Sequence, residues 1–326
     1  MTRHDPNRIY ELLLDSCSSD AQVDELMIGL VWTLCRNSRN GMGLAMSPGM
    51  PTRTLSWSGS LQGKPVIDLA SWILQWEPYQ ATVAMAAINS CINSRPLPES
   101  VLVEHSGEHA NLAVFDHFLP QLLGKNVAVI GHYPGIERYQ HLMQLCVIEK
   151  QPSGDDVPDA AAEFLLPNAE WVFLTASSIP NKTFPRLAEL SQNAKTVLMG
   201  PTVPWLPQLH EFGIDYLAGV EVTDADDLYH TAAQGGGVRI FSHGLRYRIA
   251  ELTPSTSMKW LKQQIADCAE EKNQLNREME NWYANGNNNR FPRYTLLEQT
   301  NKRLSRLDSC YKPLWDRHGE HASQTK

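Results

Sequence analysis

The sequence predicts an α/β protein in three parts, and three observations predict it. Between residues 126 and 222, short apolar runs alternate with helical stretches, the rhythm of a parallel, Rossmann-like sheet with helices on its faces. Ahead of it lie two apolar runs joined by a turn and followed by two helices, the pattern of an α+β unit. After Thr253-Pro254, apolar residues recur at three- and four-residue spacing, which predicts a helical hairpin of coiled-coil type. The expected units span 1–120, 121–252 and 253–326.

In the front unit, Ile9, Leu12 and Leu13 sit at helical spacing. The run 25–35 reads as one strand and 41–48 as a second, with a turn at 36–41. Residues 64–76 form an amphipathic helix. Residues 78–94 form another, rich in small residues and therefore closely buried.

The sheet strands are expected at 126–131, 146–150, 169–176, 195–204 and 214–222. Helices follow at "IERYQHLMQL", around "DAAAEFLL", at "FPRLAELSQN" and at "DADDLYHTAAQG". The stretch "GVRIFSHGLRYRIAEL" closes the sheet with a β-ribbon. In the hairpin, Ser257 is the expected N-cap, "NGNNN" the turn, and 294–315 the second helix. The segment 254–326 holds twelve basic and nine acidic residues, against sixteen and twenty-seven in the rest. Its apolar stripe either packs on its own body or binds a second copy or a partner through 257–315; periodicity defines a sticky face and not its mate.

Composition narrows the function. A net charge of −8 argues against nucleic acid, because phosphate contacts need clustered Lys and Arg. No apolar run reaches the roughly 18 residues of a membrane span, and the charged N-terminus lacks a signal segment; a cytoplasmic location is expected. Cys17, Cys35, Cys91, Cys146, Cys268 and Cys310 are scattered, with no CxxC pair, so they read as reduced, packed thiols. No HExxH, GxSxG or P-loop motif occurs.

Ligands of open parallel sheets gather at the carboxyl ends of the strands. The loops there carry Gly131, His132, Tyr133, Pro134 and Gly135; then Glu149; Thr175, Ser177 and Ser178; Asn181, Lys182 and Thr183; Gly200, Pro201 and Thr202; and Asp224. Gly131 permits a tight turn, and helix N-terminal amides can receive an anion. Glu149, eighteen residues on, stands where a ribose diol would be gripped, or is a solvated strand end. His132 can ligate a metal, move a proton, or simply hydrogen-bond within its loop. Asn181, Lys182 and Thr183 offer an amide, an ammonium and a hydroxyl to an anion, with Thr183 as a plain N-cap the simpler reading. His105, His109, Glu104, Glu108 and His117 form a second cluster, but its Ser-Gly pair reads as an exposed linker.

The stretches "VAVIGHYPGIERY", "VIEKQPSGDDVPDAAAEFLLPNAEWVFLTASSIPNKTF" and "VLMGPTVPWLPQLHEFGIDYLAGVEVTD" occur in order. Together they resemble the heavy-metal chelation domain family. "GLVWTLC", "GMGLAMSP", "GSLQGKPVIDLASWI" and "ATVAMAAINS" are similar to its enolase-N-terminal-like front half. The resemblance covers about residues 8–250 and leaves out the hairpin. It implies an interdomain cleft that handles a metal or metal chelate. The cleft would use Gly131, His132, Pro134, Glu149, Thr175, Asn181, Thr183, Gly200, Pro201, Thr202 and Asp224, with Asn89 and residues near Gly43 from the front. Gly135 joins them from the loop census. His132 and Glu149 are the expected metal ligands. One histidine and two carboxylates suit a chelated or anionic small molecule better than a bare transition metal. The expected ligand is therefore a small molecule or metal chelate. The alternatives are an enzyme on a nucleotide-like or pterin-like substrate, and a scaffold working through the hairpin.

Overall fold

The structure, a computed structural model, describes residues 5–17, 20–52, 54–104 and 110–318. His105, Glu108 and His109 lie outside the described residues.

The front unit holds α1 (Arg8–Asp15), β1 (Val23–Ile28), β2 (Trp32–Asn37), β3 (Met42–Met46), α2 (Val66–Ala70) and α3 (Pro78–Asn93), with its strands antiparallel in the order β1-β2-β3. The single strand expected over 25–35 is two. The chain reverses at Gly29, whose N–H donates to the Trp32 carbonyl at 2.9 Å. A Cβ there would lie 2.8 Å from that oxygen, so the apolar run hides a turn that glycine permits. The helix expected over 64–76 starts after Pro65 as α2 and tightens into a 3-10 turn at Ser71–Leu74. Helix α3 carries Pro78 at its first position, and the Glu77 carboxylate accepts from the Tyr79 and Gln80 amides.

Next come β4 (Val101–Leu102), α4 (Ala113–Leu122), β5 (Asn126–Ile130), β6 (Gln144–Glu149) and β7 (Val157–Pro158). They are followed by α5 (Ala162–Leu165), β8 (Trp171–Thr175), α6 (Phe184–Leu190), β9 (Lys195–Met199), β10 (Tyr216–Val222), α7 (Ala225–Ala233) and β11 (Leu245–Glu251). The eight strands run β4-β11-β10-β9-β8-β5-β6-β7. Those from β10 to β7 are parallel, while β11 is antiparallel to both β10 and β4. Strand order therefore reverses between β5 and β8. The helix expected at "IERYQHLMQL" is only a 3-10 turn, Ile136–Tyr139. Its two buried residues, Ile136 and Tyr139, are three apart, which matches the three-residue repeat of that helix.

Alternation along each strand feeds two cores. On β5, Val127 and Val129 pack with Phe115 and Phe118 of α4, while Ala128 and Ile130 face the side that α1, α3 and the C-terminal helices share. Those helices are α8 (Pro254–Ala284) and α9 (Tyr294–His318). Thr253, not Ser257, caps α8; its hydroxyl accepts from the Thr256 amide at 3.1 Å, and Pro254 follows at the first position, where its missing N–H costs nothing. Ser257 is buried one turn in. Leu261, Cys268, Leu307 and Cys310 join the core of the body, so the apolar stripe of the hairpin is largely spent on its own chain. Leu275, Leu296 and Leu297 form a separate small cluster. No helix among the described residues is long and apolar enough to cross a membrane.

Candidate functional site at the strand-order reversal

Ligand crevices form where neighbouring strands send their connections in opposite directions, which here is between β5 and β8. Gly131 ends β5 with φ 99°. Its amide donates to the Ile148 carbonyl at 2.9 Å, and a Cβ on it would touch the Thr175 side chain at 3.4 Å. The loops after β5 and β8 thus lie side by side.

The His132 amide donates to Glu149 Oε2 at 2.9 Å, and the Lys150 amide to Glu149 Oε1 at 2.7 Å. Glu149 is folded back onto the backbone and braces the loop. His132 Nδ1 lies 3.1 Å from both carboxylate oxygens of Asp156. Asp156 also accepts from the Ser153 amide at 3.2 Å and the Ser153 hydroxyl at 3.3 Å. The Asp156 side chain is 5 % exposed and that of His132 37 %. Burial pushes the Asp156 carboxyl up, but the hydrogen bonds from His132 and Ser153 together outweigh it and hold the group below its ordinary value. A carboxylate on Nδ1 fixes the ring and its tautomer, and leaves Nε2 as the nitrogen with a lone pair to offer.

Tyr133 points inward, hydrogen-bonds Thr175, and meets the Phe115 ring edge-on at 5.4 Å. Burial drives its hydroxyl pKa well up, so it stays neutral. That hydroxyl lies 3.9 Å from the Cβ position of Gly200. The Pro134 carbonyl accepts from buried Asn111 at 3.0 Å, and Gly135, at φ 88°, starts the 3-10 turn. Gly131, His132, Pro134, Gly135, Glu149, Thr175 and Gly200 are thus gathered around one crest.

The remaining expected residues serve other joints. Pro201 and Thr202 are buried under the front unit. Thr202 Oγ1 accepts from the Met46 amide at 3.0 Å, and its carbonyl accepts from Asn89 Nδ2 at 3.0 Å. Lys182 reaches the Ile73 carbonyl and lies 4.3 Å from the Tyr10 ring centroid, so it ties the loop after β8 to the front unit. Asn181, beside it, is exposed. Thr183 stands at the cap position of α6 but makes no side-chain cap bond; its hydroxyl reaches the Ser178 carbonyl at 3.5 Å. Asp224 caps α7, accepting from the amides of Asp226 at 3.1 Å and Asp227 at 3.0 Å.

The amides expected to cradle an anion are partly engaged. Those of Gly131, His132 and Gly200 already serve Ile148, Glu149 and Ala218. Among the described residues, no three of His, Cys, Asp and Glu converge as a ligand set. The crest therefore fits a bare cation poorly. It presents one oriented imidazole nitrogen, Nε2 of His132. Nothing in the sequence marks Asp156 or Asn111 as part of the crest. The Asp155-Asp156 pair marks a turn, but no spacing rule says which carboxylate faces His132.

These features define an α/β protein with a parallel sheet half covered by a small antiparallel unit and half open around a braced histidine. Residues 10–92 and 113–251 match two domain models, both described as "Putative heavy-metal chelation", and the chain belongs to that family. A protein of unknown function from the same family in Desulfitobacterium hafniense is 29% identical, with a TM-score of 0.63 over 76% of this chain and 98% of that one. A second, from Pyrococcus horikoshii, shares the fold at 20% identity, with a TM-score of 0.60 over 76% of this chain and 99% of that one. An uncharacterised protein of Methanocaldococcus jannaschii is 31% identical over 109 residues, 32% of this chain and 40% of that protein's length. The hairpin lies beyond both domain matches.

Proposed function

We propose that the chain binds a metal already held in a small chelating ligand, at the crest formed by Gly131–Gly135, Glu149 and Thr175, with His132 Nε2 entering an open coordination position. The observation that carries this reading is the contact between Asp156 and His132 Nδ1. A metal-ligating imidazole almost always has its other nitrogen on a carboxylate or carbonyl, which orients the ring and raises its basicity. Glu149 holds the loop through the His132 amide, and the front unit covers the neighbouring strand ends. The family description, which concerns heavy-metal chelation, supports a metal-containing ligand.

Calorimetry with nickel(II)–nitrilotriacetate, which leaves metal positions open, tests the reading. One equivalent is expected to bind the intact chain, the metal-free chelator is expected not to bind, and His132→Ala is expected to abolish the signal. Equal binding by the wild type and His132→Ala would overturn it.

A further inference from the structure

The front unit carries a second set of soft donors, on elements the crest does not use. Cys17 follows α1 and Cys91 lies on α3; their thiols hydrogen-bond each other. Cys91 is buried and Cys17 half-buried. Beside them the half-buried Arg95 guanidinium donates to the Ser16 carbonyl at 2.8 Å. Burial and then Arg303 lower its pKa to about 10, against the attraction of Cys91, Cys17 and Glu271. Glu271 faces Arg303 at 3.9 Å, and among the described residues no carboxylate forms an ion pair with Arg95. A half-buried cation without an ion-paired carboxylate, set against two touching thiols, is favoured when something beside it becomes negative.

We infer that Cys17 and Cys91 form a two-coordinate site for a soft monovalent cation of the copper(I) class, with Arg95 as its counter-charge. Thiolates select such cations over harder ones. On binding, each thiol releases its proton to solvent and two sulfur–metal bonds form. Two thiolates and one monovalent cation carry a net charge of −1, which Arg95 neutralises. No electron is transferred. A disulfide between the same sulfurs would need an external oxidant and would leave the guanidinium unbalanced, so charge favours the metal. Cys35 is also nearby, but its thiol is engaged with Ser90. The site is separate from His132 and does not rest on the proposed function.

The test is an anaerobic titration of the reduced full-length chain with copper(I) against bicinchoninate. One equivalent is expected to be retained by the wild type, by Cys146→Ser and by His132→Ala, and lost by Cys17→Ser. Because Cys17 is half-buried, that variant is expected to fold, which circular dichroism checks. Arg95→Gln is expected to weaken binding by about 10- to 100-fold, as loss of an outer partner does, and Arg95→Lys to restore most of it. X-ray absorption is expected to find two sulfur ligands. Copper retained by Cys17→Ser, copper lost by His132→Ala, or nitrogen-dominated coordination would each overturn the assignment.

Discussion

Asn89 Nδ2 donates both to the Leu44 carbonyl at 2.8 Å and to the Thr202 carbonyl at 3.0 Å. One amide group on α3 thus joins the front sheet to the tip of β9. This relationship decides which strand ends remain open. The ends of β9 and β10 are roofed by the front unit through Thr202, Trp32 and Arg36, while those of β5 and β6 carry the His132 loop and Glu149 instead. Asn89→Ala would strand two buried carbonyls, at about 1–3 kcal/mol for each unsatisfied group. Urea unfolding is expected to show a loss of about 2–6 kcal/mol on that basis. A loss below measurement error would mean that the joint does not depend on this amide.

Asp156→Asn separates orientation from charge at the crest. An asparagine amide can donate to His132 Nδ1, which moves the ring proton to Nε2 and removes its lone pair. Nickel(II)–nitrilotriacetate affinity is expected to fall about 10- to 100-fold. The stability effect has a definite sign. The Asp156 pKa is depressed in the folded state relative to 3.8, so its contribution is present above that value and fades as pH falls through the folded pKa. The stability gap between wild type and Asp156→Asn is expected to be constant near neutrality and to close only in strong acid. A gap that closes between pH 5 and 7 would contradict this.

Lys182 gives a dependence of the same sign in the alkaline range. Burial lowers its pKa from 10.5 to about 8, and its backbone sits at φ 66°. Between those two values the unfolded chain binds more protons than the folded one, so stability rises with pH. Thermal melts from pH 8 to 10 are expected to show the wild type gaining relative to Lys182→Met. A flat difference would mean that the ammonium is not desolvated at the joint.

Strands β5, β8, β9 and β10 are legible because both faces are buried, which writes nearly unbroken apolar runs into the sequence. The same signal misleads at Gly29, where the apolar run continues through a reversal. Strands β4 and β7, two residues each, are too short to carry any pattern. At the site, Gly131 and His132 are legible because a glycine that breaks a buried strand marks the crest. The roles of Asn89, Thr202 and Asp156 are not legible. They depend on where the front unit docks and how the turn after β6 folds back, and both are tertiary facts. Asp224, plausible as a ligand residue by position, is occupied as a helix cap.

Gly43 tests how tightly the front unit closes. A Cβ there would lie 2.0 Å from the Ala86 carbonyl oxygen and 2.2 Å from the Ser90 nitrogen. Both obstacles are backbone and cannot swing aside. Gly43→Ala is expected to cost about 3 kcal/mol or more. Gly237→Ala, whose Cβ would meet only Val31 at 3.7 Å, is expected to cost much less. Similar unfolding midpoints for the two variants would show that α3 can retreat from β3.

The hairpin offers a last test, because its apolar stripe is shared with the body. Leu261 and Leu307 lie in one core with Leu12, Leu206 and Leu209. At the edge of that core, Arg8 reaches Cys310, and Arg306 pairs with Asp15. Each buried leucine contributes about 1.5–3 kcal/mol, and deleting 253–326 would also expose the leucines left behind. The truncated chain is therefore expected to unfold at markedly lower urea and to associate on concentration, as seen by sedimentation. The opposite result, a stable monomeric body, would mean that the hairpin is an independent arm, and its buried stripe would then need another role.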